Sequence, residues 1–328
     1  MAEADGHHDD NADAERRAAH GGLEKRYAAV NDQASRAHAN HVGIVAMVVA
    51  MACFIVNDTL VKYVSQNLPA AQLIFIRSAM ASLLVLAVAI ATGARAHFRE
   101  MTRGWVVARA ALDATSTFLF LVSLFHLPLA IATSINSTLP LLVTMLAAFL
   151  IGERVRAALW LATAAGFTGV LLIVQPQSGG FDVYAIVCFV STAIMAVREL
   201  VTRRVHDSVP SVVITLATAL MVTLFAGVLS LIEGWQPIGL PDFWMLVVAA
   251  ISISCGYVLV VRSTRRGDLS VVAPFRYSAL LFAVIAAYLV WGEIPNVLAW
   301  CGVALLVGAG IYVLRASWSA RSAPPPLD

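Results

Sequence analysis

The sequence predicts an all-α polytopic membrane protein, with ten transmembrane helices arranged as two inverted five-helix repeats. Three observations carry this prediction. Apolar residues make up 60% of the 328-residue chain and charged residues only 13%, against about 45–50% and about 25% in soluble domains. From Val42 to Leu314 the apolar residues fall into blocks of about twenty, the length that crosses a roughly 30 Å hydrocarbon core at 1.5 Å per helical residue. Cations crowd alternate connections between those blocks and leave the others empty.

Taken in order, Gly, Pro and charged residues divide the chain into spans near 42–62, 70–92, 105–125, 130–150, 157–175, 182–201, 212–232, 244–262, 269–290 and 297–315. Several connections are too short to do more than turn the chain, such as "LPL" at 127–129 and "EIPN" at 293–296. Neighbouring helices must then run antiparallel. Residues 1–41 open "MAEADGHHDDNADAERR" and lack the apolar core of a secretory signal. Both this tail and residues 316–328 have the composition of disordered segments. The expected organisation is therefore a tail (1–41), a first repeat (42–176), a second repeat (177–315) and a short final tail (316–328).

Eighteen of the 22 cations lie in the two tails and in the second, fourth, sixth and eighth connecting regions. The odd-numbered connections hold none. Under the positive-inside rule this places both termini in the cytoplasm and requires an even number of spans. A missed or invented helix would break the alternation. Six tryptophans, Trp105, Trp160, Trp235, Trp244, Trp291 and Trp300, fall near span ends, as interfacial belts do.

The repeat shows in "FLIGERVRAALWL" (149–161) and "LVWGEIPNVLAWC" (289–301). Each holds a Gly-Glu pair with a Trp seven residues beyond the Glu, and Glu153 and Glu293 are 140 residues apart. Five helices separate the copies, so the two halves must face opposite ways across the membrane. The first copy ends in cations and the second has none, as that inversion requires. Inverted repeats of this kind mark secondary transporters whose site lies at the repeat interface. Glu153 and Glu293 are expected to cap or brace that interface.

Ten helices in a five-plus-five duplication, the Gly-Glu pair closing the fourth and ninth spans, and "FHLPLAIATSINSTLP" together resemble the drug/metabolite transporter superfamily, EamA type. "VNDTLVKYVSQNLP" in the first span and "VVAPFRYSALL" in the ninth are similar to a bacterial subgroup described as S-adenosylmethionine or riboflavin carriers. The resemblance covers residues 42–314. It implies a secondary carrier whose third, fourth, eighth and ninth helices line the substrate cavity.

Polar residues at lipid depth supply the candidate site. Four cations fall inside the spans, Lys62, Arg77, Arg109 and Arg276, each costing about 2.5–3.5 kcal/mol at a helix centre unless relieved. Lys62, at a span end, is expected to snorkel. Arg109 is expected to snorkel or to bond Asp113 one turn along, a site role being the alternative. Asp58 and Arg77 lie at matched depth on adjacent helices, which predicts a direct pair, either structural or lining a cavity. Arg276 follows Pro274, whose missing N–H loosens the helix. At about 10 Å from the helix end it is expected to face a central cavity beside Tyr277 and within reach of Asp113. Asn57 and Asn136 carry amide groups that need partners in lipid and are read as cavity residues. The hydroxyls of "TSINST" are expected to bond mostly within their own helix. Glu199 beside Arg198 reads as a surface ion pair.

The expected substrate-binding set is thus Asn57, Asp58, Arg77, Asp113, Asn136, Arg276 and Tyr277, which suits a zwitterionic or polar-aromatic solute. Cys53, Cys188, Cys255 and Cys301 show no ligand spacing and read as small apolar residues. No hydrolase or zinc-protease motif is present, and no P-loop. These features predict no enzyme, no catalytic residue, no metal, no cofactor and no nucleic-acid partner. The expected function is secondary transport of a small organic metabolite across the bacterial cytoplasmic membrane by alternating access. Proton coupling would run through Asp58 or Asp113. Partners are the solute and the bilayer, and the chain is a monomer or a homodimer. The alternatives are an exporter of hydrophobic drugs or toxic metabolites and, behind it, an intramembrane enzyme.

Overall fold

The computed structural model describes residues 39–151, 157–175, 182–202, 204–206, 208–266 and 269–322. Their regular secondary structure is entirely helical, without strands. Ten helices are long and apolar enough to cross a membrane. They are α1 (Ala39–Val64), α2 (Ala70–Ala91), α3 (Gly104–His126), α4 (Leu129–Phe149) and α5 (Ala157–Val174). The second half holds α6 (Val183–Thr202), α7 (Ser211–Glu233), α8 (Leu240–Arg266), α9 (Ala273–Trp291) and α10 (Val297–Ser322). Several boundaries differ from the expected ones, and α10 runs on to Ser322, inside the final tail drawn at 316–328. α1 begins at Ala39, inside the tail drawn at 1–41. The ninth span is divided into a helical turn over Leu269–Val272 and a 3-10 turn over Ala273–Tyr277 before the α-helix starts at Ser278. Glu153 lies outside the described residues.

Prolines and glycines set the helix ends. Pro69, Pro128 and Pro210 stand immediately before α2, α4 and α7, where a missing N–H costs nothing. Gly292 closes α9 in the left-handed conformation, φ 69°. The first N–H groups of α2 find an acceptor on the other half of the chain: the Ala71 N–H donates to Glu233 at 2.6 Å, at the end of α7. Only 22–50% of each apolar window is buried inside the protein. The remainder, including Leu231, Ile232 and Leu289, faces outward, as a bilayer solvent requires.

Most packing joins one half to the other. α5 runs along α10, α2 along α7, α3 along α6 and α7, and the first part of α4 meets α9. α2 also touches α8, and the second part of α4 touches α6. α1 completes the set: Phe54 lies against Gly256 of α8, the Ser263 hydroxyl donates to the Gly43 carbonyl, and Met47 and Met51 cluster with Phe282 of α9. Exchanging α1–α5 with α6–α10 turns α3–α6 into α8–α1, α3–α7 into α8–α2, and α4–α6 into α9–α1. These contacts between the halves are therefore closed under their exchange.

One end of the bundle is packed solid. Val61, Val64, Leu73, Ile74, Leu124 and Leu129 are fully buried there. Reciprocal amide bonds cross between halves at this end: Gln72 with Gln236 at 2.8 and 2.9 Å, and Gln175 with Asn296 at 2.7 Å in both directions. Lys62 does not snorkel. It is 8% exposed, donates to the Leu124 and Leu127 carbonyls at the end of α3, and lies 5.5 Å from the Trp291 ring. The free carbonyls of a helix C-terminus are a natural seat for a cation, and that outweighs escape to the interface. Glu293 stands close enough to Lys62 for their charges to interact. Burial pushes its carboxyl up and Lys62 partly draws it back.

The α5–α10 contact provides a clean test. A methyl on Gly302 would run into the backbone of Gly169, whereas one on Gly308 meets nothing within 4 Å. Gly302→Ala should therefore destabilise the detergent-solubilised protein by about 1–3 kcal/mol through overpacking. Gly308→Ala should be neutral or gain up to about 1 kcal/mol from helix propensity. Denaturant titration of both variants checks the order, and equal effects would contradict the close approach.

Candidate functional site: a polar cavity between the halves

A cavity opens beneath the packed end and runs toward the opposite ends of α6, α9 and α10, where Arg198, Arg276 and Leu314 lie. Its volume is about 240 Å³, the size of a small metabolite's site and just under the roughly 300–1,000 Å³ of drug-sized pockets. The lining comes from α1, α2, α3, α4, α6, α8, α9 and α10, and not from α5 or α7. The four helices implied by the family resemblance are thus joined by four more.

Two broken helices face each other across the cavity. α4 is interrupted at Ser137–Thr138, between Leu129–Asn136 and Leu139–Leu146. Pro140 cannot donate to the Asn136 carbonyl one turn back, so the chain turns through this point without a regular bond. Pro274 does the same in α9, where the 3-10 turn carries Arg276 and Tyr277. Irregular backbone at membrane depth is tolerated where it lines a cavity.

All seven residues singled out from the sequence line this one cavity. Their pairings differ from the expected ones. Asp58 and Arg77 do not form a direct ion pair among the described residues. Asn57 stands between them, donating from Nδ2 to Asp58 at 2.8 Å and accepting from Arg77 Nη1 at 3.2 Å. An amide both donates and accepts, so one side chain serves both charges. Asp113 pairs neither with Arg276 nor with Arg109. Its partner is Arg198 Nη1 at 3.2 Å, and Arg198 Nη2 holds Glu199 at 2.8 Å. Arg109 instead donates to the Thr202 and Thr218 hydroxyls at 3.0 and 2.8 Å. Arg276 makes no hydrogen bond or ion pair among the described residues and is exposed within the cavity mouth.

Arg198 and Tyr257 are the lining residues that the sequence reading missed. Arg198 sits four residues before the end of α6 and had been counted among the loop cations. Its side chain is only 12% exposed and turns inward. Tyr257 carried no signal in an apolar run; it packs edge-to-face on Phe54 with centroids 5.3 Å apart.

Several residues of the cavity wall also carry polar atoms without partners. Arg77 Nε, Arg198 Nε, Thr133 Oγ, Asn136 Oδ1 and Tyr277 Oη are buried without a hydrogen-bond partner in the protein. Such groups are costly unless something satisfies them. The other helix-4 hydroxyls behave as expected, Ser134 and Ser137 bonding the carbonyls of Ala130 and Thr133. Tyr277 is held against α10, where any side chain on Gly310 would overlap its hydroxyl.

Removing one member of the Asp113–Arg198 pair strands the other in a buried site. Asp113→Asn should cost about 3 kcal/mol, and adding Arg198→Gln should restore part of the loss. Unfolding free energies of the two single variants and the double variant give the coupling. Strictly additive losses would mean that the two residues do not interact.

Comparison with known proteins agrees with this architecture. The EamA-like transporter family matches twice, over residues 41–175 and 183–315. The chain is 30% identical to the pseudopaline exporter CntI of Pseudomonas aeruginosa, over 83% of this chain and 96% of that protein. It is 26% identical to a riboflavin transporter of Vibrio cholerae, over 85% and 94% of the two chains. It is 23% identical to an S-adenosylmethionine uptake transporter of Rickettsia bellii, over 81% and 91%. A solved crystal structure with 20% sequence identity superimposes with a TM-score of 0.59, covering 85% of this chain and 99% of that one, and so shares the fold. With a family match along both halves and helices to span a membrane ten times, the chain belongs to the EamA-like transporter family.

Proposed function

We propose that the protein is a secondary carrier that moves a small polar organic metabolite across the bacterial cytoplasmic membrane by alternating access. Residues 42–176 and 177–315 act as two inverted repeats, with both termini in the cytoplasm. The seven cavity residues, with Arg198 and Tyr257, form the solute site. The observation that carries this reading is the convergence of five buried, unpartnered polar atoms on one cavity between the halves. A polar solute satisfies them and is released when the halves rearrange. The relatives transport small metabolites according to their names, and the same activity is proposed for this chain.

Contacts closed under exchange of halves support the inversion, because five helices separate equivalent elements and five is odd. With the termini in the cytoplasm, the amide pairs and Lys62 seal the outer face and the cavity leads inward. A hydrophobic-drug exporter would need an apolar, aromatic cavity, and three arginines and two aspartates at this one disfavour it.

Two measurements test the reading. In a cysteine-free background, Ala96→Cys should react with an impermeant thiol reagent only from the cytoplasmic side and Gln66→Cys only from outside. The reverse pattern would overturn the orientation. Proteoliposomes equilibrated with a bacterial metabolite extract should exchange at least one solute, and Arg77→Gln should slow that exchange by about tenfold or more, the worth of one charged hydrogen bond. Empty vesicles matching the wild type would end the carrier proposal. Running the exchange with and without a pH gradient tells whether protons are coupled.

A further inference from the structure

The geometry points to an organic anion as the transported solute, docked by a carboxylate on Arg276. This inference rests on the carrier reading above and narrows its substrate class. Charges around the cavity were balanced in the sequence, with Arg77 and Arg276 against Asp58 and Asp113. The structure alters that balance. Arg198 faces inward and occupies Asp113 at 3.2 Å. Its second bond goes to Glu199, while Arg109, on the same side of α3 and α6, is held by two hydroxyls. These four groups neutralise one another. Arg77 and Asp58 neutralise one another through Asn57. Among the described lining residues one charge remains, that of Arg276.

Arg276 differs from the other arginines in having nothing to hold. It projects from the 3-10 turn of α9 into the cavity and makes no hydrogen bond or ion pair among the described residues. A guanidinium presents a planar fork of donors that fits a carboxylate with two parallel bonds. An uncompensated cation at the cavity mouth favours the arrival of an anion. The leftover atoms agree with that sign. Arg77 Nε and Arg198 Nε can only donate, the hydroxyls of Thr133 and Tyr277 can do either, and Asn136 Oδ1 alone must accept. A ligand that satisfies this set is rich in acceptors. A cationic solute would find Asp113 already taken and Asp58 shared with an amide.

The test uses purified full-length protein and matched probes that differ only in charge. Carboxylates (benzoate, glutarate, citrate, glutamate) are compared with their amides and with benzylamine and 1,5-diaminopentane by thermal stabilisation up to millimolar concentration. At least one carboxylate should stabilise the protein, with its amide about tenfold weaker or worse. Arg276→Gln should erase that difference, Arg276→Lys should restore it in part, and Arg262→Gln on the exposed surface should leave it intact. If Arg276→Gln does not fold, the wild-type ratio of acid to amide and the lysine variant still decide. Preference for an amide or an amine, no carboxylate better than its amide, or full acid selectivity in Arg276→Gln would each overturn the proposal. Carrier activity is scored separately in proteoliposomes, so exchange of neutral or cationic solutes would refute the anion while leaving the carrier intact.

Discussion

A guanidinium at lipid depth must find a carboxylate, an amide, a carbonyl or water, and that requirement organises this molecule. Hydrocarbon offers no hydrogen bonds, so a charged group in the spans must find a partner in the protein or face a wet cavity. Arg198 finds Asp113, Arg77 finds Asn57, Arg109 finds two threonines and Lys62 finds the end of α3. Each of these bonds except Arg77–Asn57 and Lys62–Leu124 links different halves of the chain. The charges that are expensive to insert thereby tie together the surfaces whose separation a carrier needs. Arg276, which finds no partner among the described residues, lies at the cavity mouth.

The helix breaks follow from the same constraint. A straight α4 and α9 would satisfy all their backbone groups internally and offer a solute only side chains. Pro140 and Pro274 each remove one donor, and the chain turns at Ser137–Thr138 and over Ala273–Tyr277. Both breaks stand at the cavity wall, on helices that correspond under exchange of the halves. The local defect is tolerated because polar side chains and an aqueous path meet it.

Stability and movement are divided between the two ends. At the Lys62 end, buried aliphatic side chains and reciprocal amide bonds hold the halves together. Hydrogen bonds of this kind are each worth about 0.5–1.5 kcal/mol net, so a handful can close one face and still yield to a bound solute. Gly169 and Gly302 let α5 and α10 approach backbone to backbone, the usual way small residues bring helices together in membranes. α5 does not line the cavity and α10 reaches it only through Leu314, which suits a supporting role.

The sequence by itself determined the number of spans and seven of the residues that line the cavity. Span length is dictated by bilayer thickness, and a polar residue in an apolar run is visible wherever the fold places it. Asn57, Asp58, Arg77, Asp113, Asn136, Arg276 and Tyr277 were legible for that reason and share one cavity. Which of them meet was not legible. Depth along a helix follows from residue number, but the direction a side chain faces depends on the rotation and crossing of ten packed helices. Thus Asn57 came between Asp58 and Arg77, Lys62 turned inward onto α3, and Arg198, taken for a loop cation, entered the cavity and claimed Asp113. Only tertiary structure settles such partnerships, because a bond needs two side chains within about 3 Å and sequence spacing fixes that distance only within a single helix.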